Sequence, residues 1–278
     1  MEDSKTSEQT KAATKVESDE DDDDDDEDDN EATLTSDMDS LPITHEIKLK
    51  NHTRTVSALT LDPAGARLVT GGYDYDVKFW DFAGMDRSFR PFRSIEPCGG
   101  HQIHELQYSL TGDRVLIISG SARAKLYNRD GNEVCEYIKG DPYIRDMRHT
   151  DGHIAALTSG TWHPTDGKTF ATSSQDGSLR IWDVERKRKQ KSVIAYKSRE
   201  RGGRSPATAI TYSPDAKLIA GAFQDGTINL WGSNGPFIRP THAIADAHQK
   251  TTETSSLLFS RDNRTLVSRG GDDTVKGS

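Results

Sequence analysis

Residues 170–183 read FATSSQDGSLRIWD. Phe170 and Ala171 lead into the hydroxyl residues Thr172, Ser173 and Ser174, small or β-branched side chains that suit a strand. A Gln-Asp-Gly turn follows, and polar and apolar side chains then alternate until the stretch ends in Trp-Asp. Strand, tight turn, strand is the plain reading. The pattern recurs as LVTGGYDYDVKFWD at 68–81, LIAGAFQDGTINLW at 218–231 and LVSRGGDDTVK at 266–276. Three copies place an Asp six residues before a Trp: Asp74 and Trp80, Asp176 and Trp182, Asp225 and Trp231. A degenerate copy, LIISGSARAKLY at 116–127, has Ser121 at the Asp position and Tyr127 at the Trp position.

The aromatic positions 80, 127, 182 and 231 are 47, 55 and 49 residues apart. Propeller blades repeat every about 40–45 residues, so the excess points to insertions such as 141–150 and 199–206. Each unit has a further strand upstream: TVSALTLDPAG at 55–65, HELQYSLTG at 104–112, ALTSGTWHPTDG at 156–167, ATAITYSPDA at 207–216 and TSSLLFSRDN at 254–263. All run into Pro, Gly, Asp or Asn, which are turn residues. Helical spacing with proper caps is absent. The fold class is therefore all-β, and the repeated meander describes the blades of a β-propeller.

Trp-Asp at 80–81 and 182–183, with His52 and His153 upstream, resembles the WD-repeat family. Gly152-His153 is a full Gly-His pair, Asn51-His52 and Ala247-His248 are near misses, and the fourth unit has no His. The resemblance implies a hydrogen-bonded set inside each blade, made of the His, a strand Ser or Thr, the turn Asp and the Trp. His52, Asp74, Trp80, His153, Asp176, Trp182, Asp225, Trp231, His248 and Asp272 are then structural rather than catalytic. The stretch from Ile43 to Asp86, and its continuation through FRPFRSIEP, YIRDMRHTDGH and SSQDGSLRIWDVE to residue 276, is similar to the gastrulation-defective type of WD-repeat protein. That similarity implies a nuclear protein with an acidic region before its propeller. It implies links to the spliceosome and to chromatin-associated responses to DNA damage, including ubiquitin-ligase adaptor roles.

Charge divides the chain. Eighteen carboxylates against three lysines give residues 1–40 a charge of -15; the whole chain is -9, which leaves +6 on residues 41–278. Residues 1–40 have no aromatic residue, and the acidic run Asp19–Asp29 repels itself, so this segment is expected to be a disordered acidic tail. Residues 41–278 are expected to form the partial propeller. Ser18 and Ser36 each stand three residues before an Asp (Asp21, Asp39), the spacing that acid-directed kinases prefer. Cys98 and Cys135 do not make a disulfide framework, which suits a reducing compartment. No run of about 18 apolar residues crosses a membrane, and no apolar secretory segment leads the chain.

No nucleotide loop, nucleophile elbow or zinc-type cysteine spacing is present, so neither an enzyme, a cofactor nor a small-molecule substrate is expected. His149, His153 and His163 are close in sequence but fall on either side of a strand, which argues against a shared metal. The basic run RKRKQK at 186–191 offers Arg186, Lys187, Arg188, Lys189 and Lys191 for nuclear import or a peripheral RNA phosphate contact. The competing reading is a solvated edge guarded by cations. Tyr73, Gln175 and Gln224, each just before a turn Asp, are candidates for a partner-binding rim.

The expected role is a scaffold for proteins of a nuclear assembly. The alternative is a substrate receptor of a cullin-type ubiquitin ligase. Such receptors resemble one another in Trp-Asp-x-Arg, and here Trp182-Asp183 is followed by Arg186, one residue too far. Counting six residues from Asp272 reaches Ser278, so the fifth unit is expected to be incomplete, giving about four and a half blades in a truncated form. Residues 44–51, THEIKLKN, read as an outer strand of the kind that completes the last blade in WD propellers, with the strands it would pair expected to be missing from this chain.

Overall fold

The computed structural model describes residues 46–144, 146–198 and 202–278. Residues 1–40, with Ser18 and Ser36, lie outside them. The chain divides into two units, Met1–Lys48 and Leu49–Ser278, and the architecture that follows is that of the second.

Nineteen strands and no helix occur among the described residues. They form five antiparallel meanders. The first holds β1 (Val56–Leu61), β2 (Arg67–Gly72), β3 (Val77–Asp81) and β4 (Arg93–Ile95). The second holds β5 (Ile103–Tyr108), β6 (Arg114–Ser119), β7 (Lys125–Asn128) and β8 (Glu133–Glu136). The third holds β9 (Leu157–Trp162), β10 (Thr169–Ser174), β11 (Ser178–Asp183) and β12 (Ser192–Ala195). The fourth holds β13 (Ala207–Tyr212), β14 (Leu218–Phe223), β15 (Ile228–Gly232) and β16 (His242–Ile244). The fifth has three strands, β17 (Thr254–Phe259), β18 (Leu266–Gly270) and β19 (Val275–Gly277). The first strands touch in series, β1 on β5, β5 on β9, β9 on β13 and β13 on β17. Five blades arranged in this way are consistent with a partial propeller, the fold that the repeat predicts.

Local chemistry repeats with the blades. The turn between first and second strands places one residue in the left-handed region: Gly65, Gly112, Gly167, Ala216 and Asn263, with φ between 57° and 72°. Glycine bears this at no steric cost, whereas Ala216 is strained there. Each first strand also opens with a register shift against the second. Such a bulge bends the strand where it leaves the loop that enters the blade.

The core is a series of seams between neighbouring blades. Val69, Val77 and Phe79 meet Ile103, Leu106 and Tyr108 in the first. Ile118 and Tyr137 meet Leu157, Trp162 and Trp182 in the second. Leu179 and Tyr196 meet Ile210, Phe223 and Trp231 in the third, and Ala220 and Ile228 meet Leu257 and Phe259 in the fourth. Shape alternates across them. Gly71 leaves room for Ile103, whose Cγ2 is 2.6 Å from where a Cβ would sit, whereas Gly160 leaves room for Ile118 at 2.8 Å.

Residues 46–51 are not in a strand, which corrects the expectation that 44–51 forms an outer strand. No neighbouring strand is paired with these residues, and an unpaired segment has no ladder to satisfy its backbone groups. β19 in turn has β18 as its single strand partner.

The two terminal faces differ from the seams. Val56, Leu59 and Leu61 hold the register that Ile103, Leu106 and Tyr108 hold in β5. Leu106 is 3% exposed and Leu59 68%. Leu258, at 66%, is exposed on the fifth blade, as is Val275 on β19. Open sheet edges beside exposed aliphatic side chains promote association. The 278-residue chain should therefore exceed its 30.8 kDa monomer mass in light scattering as concentration rises, and Leu59→Asp with Leu258→Asp should reduce the excess. A monodisperse wild-type monomer at every concentration would refute this.

Candidate interaction surface

In the first and third blades the loop entering the blade, the turn between its second and third strands, and the end of its third strand are joined through one hydroxyl. In the third blade His153 Nδ1 is 3.0 Å from Asp176 Oδ2, and His153 Nε2 is 2.8 Å from Thr172 Oγ1. Trp182 Nε1 donates to the same hydroxyl at 2.8 Å. The indole can only donate and the carboxylate can only accept. With the imidazole neutral, Thr172 donates to Nε2 and Nδ1–H donates to Asp176, so every proton has one place. Asp176 also accepts from the Ile154 and Ser178 N–H groups and the Ser178 hydroxyl.

The first blade repeats this with His52, Asp74, Thr70 and Trp80 at 2.8–3.0 Å. The fifth repeats it with His248 and Asp272 at 3.1 Å and His248 and Ser268 at 2.8 Å. Ser278 stands at the register of the Trp, paired with Leu266 through both backbone bonds. The near-miss motifs at His52 and His248 thus build the same contacts as Gly152-His153.

Electrostatics agree with the proton order. Burial pushes the His153 imidazole below its ordinary value, against the pull of Asp176. Burial would raise Asp176, but His153, Ser178 and the Ile154 N–H outweigh it and hold the carboxyl well below the usual carboxylate range. The Thr274 hydroxyl and Gln249 N–H lower Asp272 similarly.

The other two blades depart. In the second, Ile117 holds the position of Thr70, Ser121 accepts the Arg123 N–H, and the Tyr127 hydroxyl donates to Glu133 at 3.0 Å. In the fourth, Gly221 holds that position, so no hydroxyl faces Trp231. There Asp225 accepts from the Tyr196 hydroxyl at 3.0 Å and from Thr227 at 2.7 Å. Tyr196 lies 29 residues before Asp225, outside the 22–24 that separate each His from its Asp.

These groups satisfy one another inside the blades, whereas the loop ends carry side chains outside that set. Tyr73, Gln175 and Gln224 occupy one repeated position, each N–H donating to the carbonyl that precedes a first strand, at Thr55, Ala156 and Pro206. Tyr73 and Gln175 are exposed and Gln224 half-buried. Tyr75 is left-handed at φ 71°, and its ring faces the Arg54 guanidinium at 5.7 Å.

The basic run forms the connection from β11 to β12. Arg186, Lys187, Arg188, Lys189 and Lys191 are exposed. Gln190 between them is buried, accepting the Gly152 N–H at 2.8 Å and donating to the Thr150 carbonyl at 3.0 Å. Lys187 reaches the second blade, its carbonyl accepting the Ile138 N–H at 3.1 Å. The cations thus project from an anchored loop. His149 pairs with Asp146 and His163 with Asp166, apart from His153. Cys98 and Cys135 are free and buried, and burial raises both thiols.

Thr172→Val keeps the shape but orphans the Trp182 N–H and His153 Nε2. At about 1–3 kcal/mol per buried orphan, the loss should be about 2–6 kcal/mol in denaturant unfolding. An unchanged midpoint would show that the hydroxyl is dispensable. The lowered His153 value has a second consequence. The unfolded imidazole takes up a proton below its ordinary value of 6.5 and the folded one does not, so stability present above that pH is lost as pH falls. The fall in melting temperature between about pH 7.5 and 5.5 should be shallower in His153→Asn. An equal slope would contradict a neutral buried His153.

Comparison with known proteins agrees with the blades. The WD domain, G-beta repeat family model matches residues 44–81, 144–183 and 198–232. The chain is 53% identical over 236 residues to WD repeat-containing protein 70 of Bos taurus, covering 85% of this chain and 36% of that protein. It is 48% identical over 237 residues to the gastrulation defective protein 1 homolog of Drosophila melanogaster, with the same coverage of 85% and 36%. The chain thus spans about a third of the length of these curated relatives. The WD repeats and this homology place the chain among the WD-repeat proteins, homologous to those named WD repeat-containing protein 70 and gastrulation defective protein 1 homolog.

Proposed function

We propose that this chain is a non-enzymatic scaffold that holds proteins together in a nuclear assembly concerned with pre-mRNA processing or chromatin. The observation that carries the reading is where the polar chemistry goes. The His, Asp, Thr and Trp groups that a catalyst would draw on are bound to one another within the blades. WD repeats generally mediate protein–protein contact, and the loop ends at Tyr73, Gln175 and Gln224 offer side chains for it. The anchored basic loop at 186–191 supports nuclear entry and adds a peripheral contact for RNA phosphate.

Affinity purification from nuclear extract with mass spectrometry tests the scaffold. Recovery of defined nuclear complexes is expected, and recovery of none sinks the reading. Lys187→Ala with Arg188→Ala and Lys189→Ala removes charge from exposed positions while Gln190 still anchors the loop. This variant should melt like the parent and lose much of its nuclear accumulation. Undiminished accumulation of the folded variant would end the import role.

A further inference from the structure

Two stretches lengthen the repeat beyond its period, 141–150 and 199–206, and their described residues border one groove between the third and fourth blades. The groove has a volume of about 690 Å³. Met147 comes from the first stretch and Trp231 from the end of β15; both are buried and give it an apolar floor. Ile238, 69% exposed, is the apolar wall. Among the described residues Arg148, Lys197 and Arg204 set three cations around it, with Asp146 as the one carboxylate.

Both stretches are held in place. Arg180 of β11 is fully buried and donates Nη1 to the Thr150 carbonyl at 2.6 Å and Nη2 to the Met147 carbonyl at 3.1 Å. A buried guanidinium without a carboxylate bonded to it is costly, so the gain lies in fixing the loop that carries Met147 and Arg148. At the second stretch the Ser198 N–H donates to the Gly203 carbonyl and the Gly202 N–H to the Ser198 carbonyl. It lies directly on the turn at Gly177, where a Cβ would meet the Ser205 carbonyl at 2.8 Å. A groove held this way loses little entropy when it is filled.

We propose that this groove docks an extended acidic segment of a partner protein. An aliphatic side chain of the segment lies against Met147, Trp231 and Ile238, and its flanking carboxylates meet Arg148, Lys197 and Arg204. The proposal deepens the scaffold reading and rests on it. An apolar floor ringed by cations suits a peptide that alternates the two chemistries. A nucleic acid fits less well. Trp231, 2% exposed, lends the groove a small apolar contact but too little ring surface for a base to stack on, and Asp146 would repel a phosphate backbone.

The test is selection of a random phage-displayed peptide library on the full 278-residue chain, followed by fluorescence polarisation with labelled copies of the enriched peptides. Enriched sequences should place Asp or Glu beside Leu, Ile or Val. Arg148→Glu with Lys197→Glu, and separately Ile238→Asp, should each weaken binding roughly tenfold or more while the melting transition stays in place. Enrichment of another composition, no enrichment, or binding unmoved by both variants overturns the proposal. So does tighter binding of a labelled oligouridylate that responds to the same charge reversal. If the groove fails in any of these ways while the chain still recovers nuclear complexes, the scaffold reading stands without it; if the chain recovers none, the scaffold itself falls.

Discussion

The hydroxyl of Thr172 joins three parts of a blade that are distant in sequence. It accepts from the indole at the end of β11 and donates to an imidazole in the entering loop, which in turn donates to the carboxylate of the turn. Each group has the polarity its neighbour lacks. In a buried site this matters more than the strength of any one bond, because an unmatched group bears its full desolvation penalty. The chain of bonds ties the loop from the preceding blade to the turn that limits the next seam. Correct blade spacing and correct proton placement are therefore one constraint.

Blades that lack the hydroxyl show what replaces it. The second blade puts Ile117 where Thr70 stands and moves its polar pairing outward to Tyr127 and Glu133. The fourth substitutes Gly221, and the Tyr196 ring stacks on Phe223 with centroids 4.0 Å apart while its hydroxyl holds Asp225. Tyr196 belongs to the third blade, so this turn is fixed across a seam rather than within a sheet. Packing and polarity trade places, and the seams tolerate it because large and small residues exchange sides together, as at Gly71 with Ile103 and Ile118 with Gly160.

This division explains what was legible in the sequence. Asp and Trp stand six residues apart because a tight turn of fixed length joins two paired strands, so register becomes spacing. The His reaches its Asp through a loop of varying length, and its sequence signal is correspondingly loose; His52 and His248 lack the preceding Gly yet make the same bonds. Tyr196 carried no motif, since its partner lies across a seam. Arg180 carried no motif either, because its acceptors are carbonyls, and carbonyls leave no mark in composition. Residues 46–51 are the opposite case: position before the first blade suggests a strand, but pairing needs a second strand beside it.

The same logic separates the framework from what varies upon it. Groups fixed in internal chains cannot change without orphaning a buried partner, whereas residues added between blades are limited by backbone satisfaction alone. Here the first added stretch finds donors for its carbonyls in Arg180 and Gln190, and the second packs on the turn at Gly177. Arg148, carried on the first of these stretches, is then held in position by its backbone. A rigid repeat with pinned insertions can diversify its contacts without changing its fold, because binding rests on side chains that folding does not use.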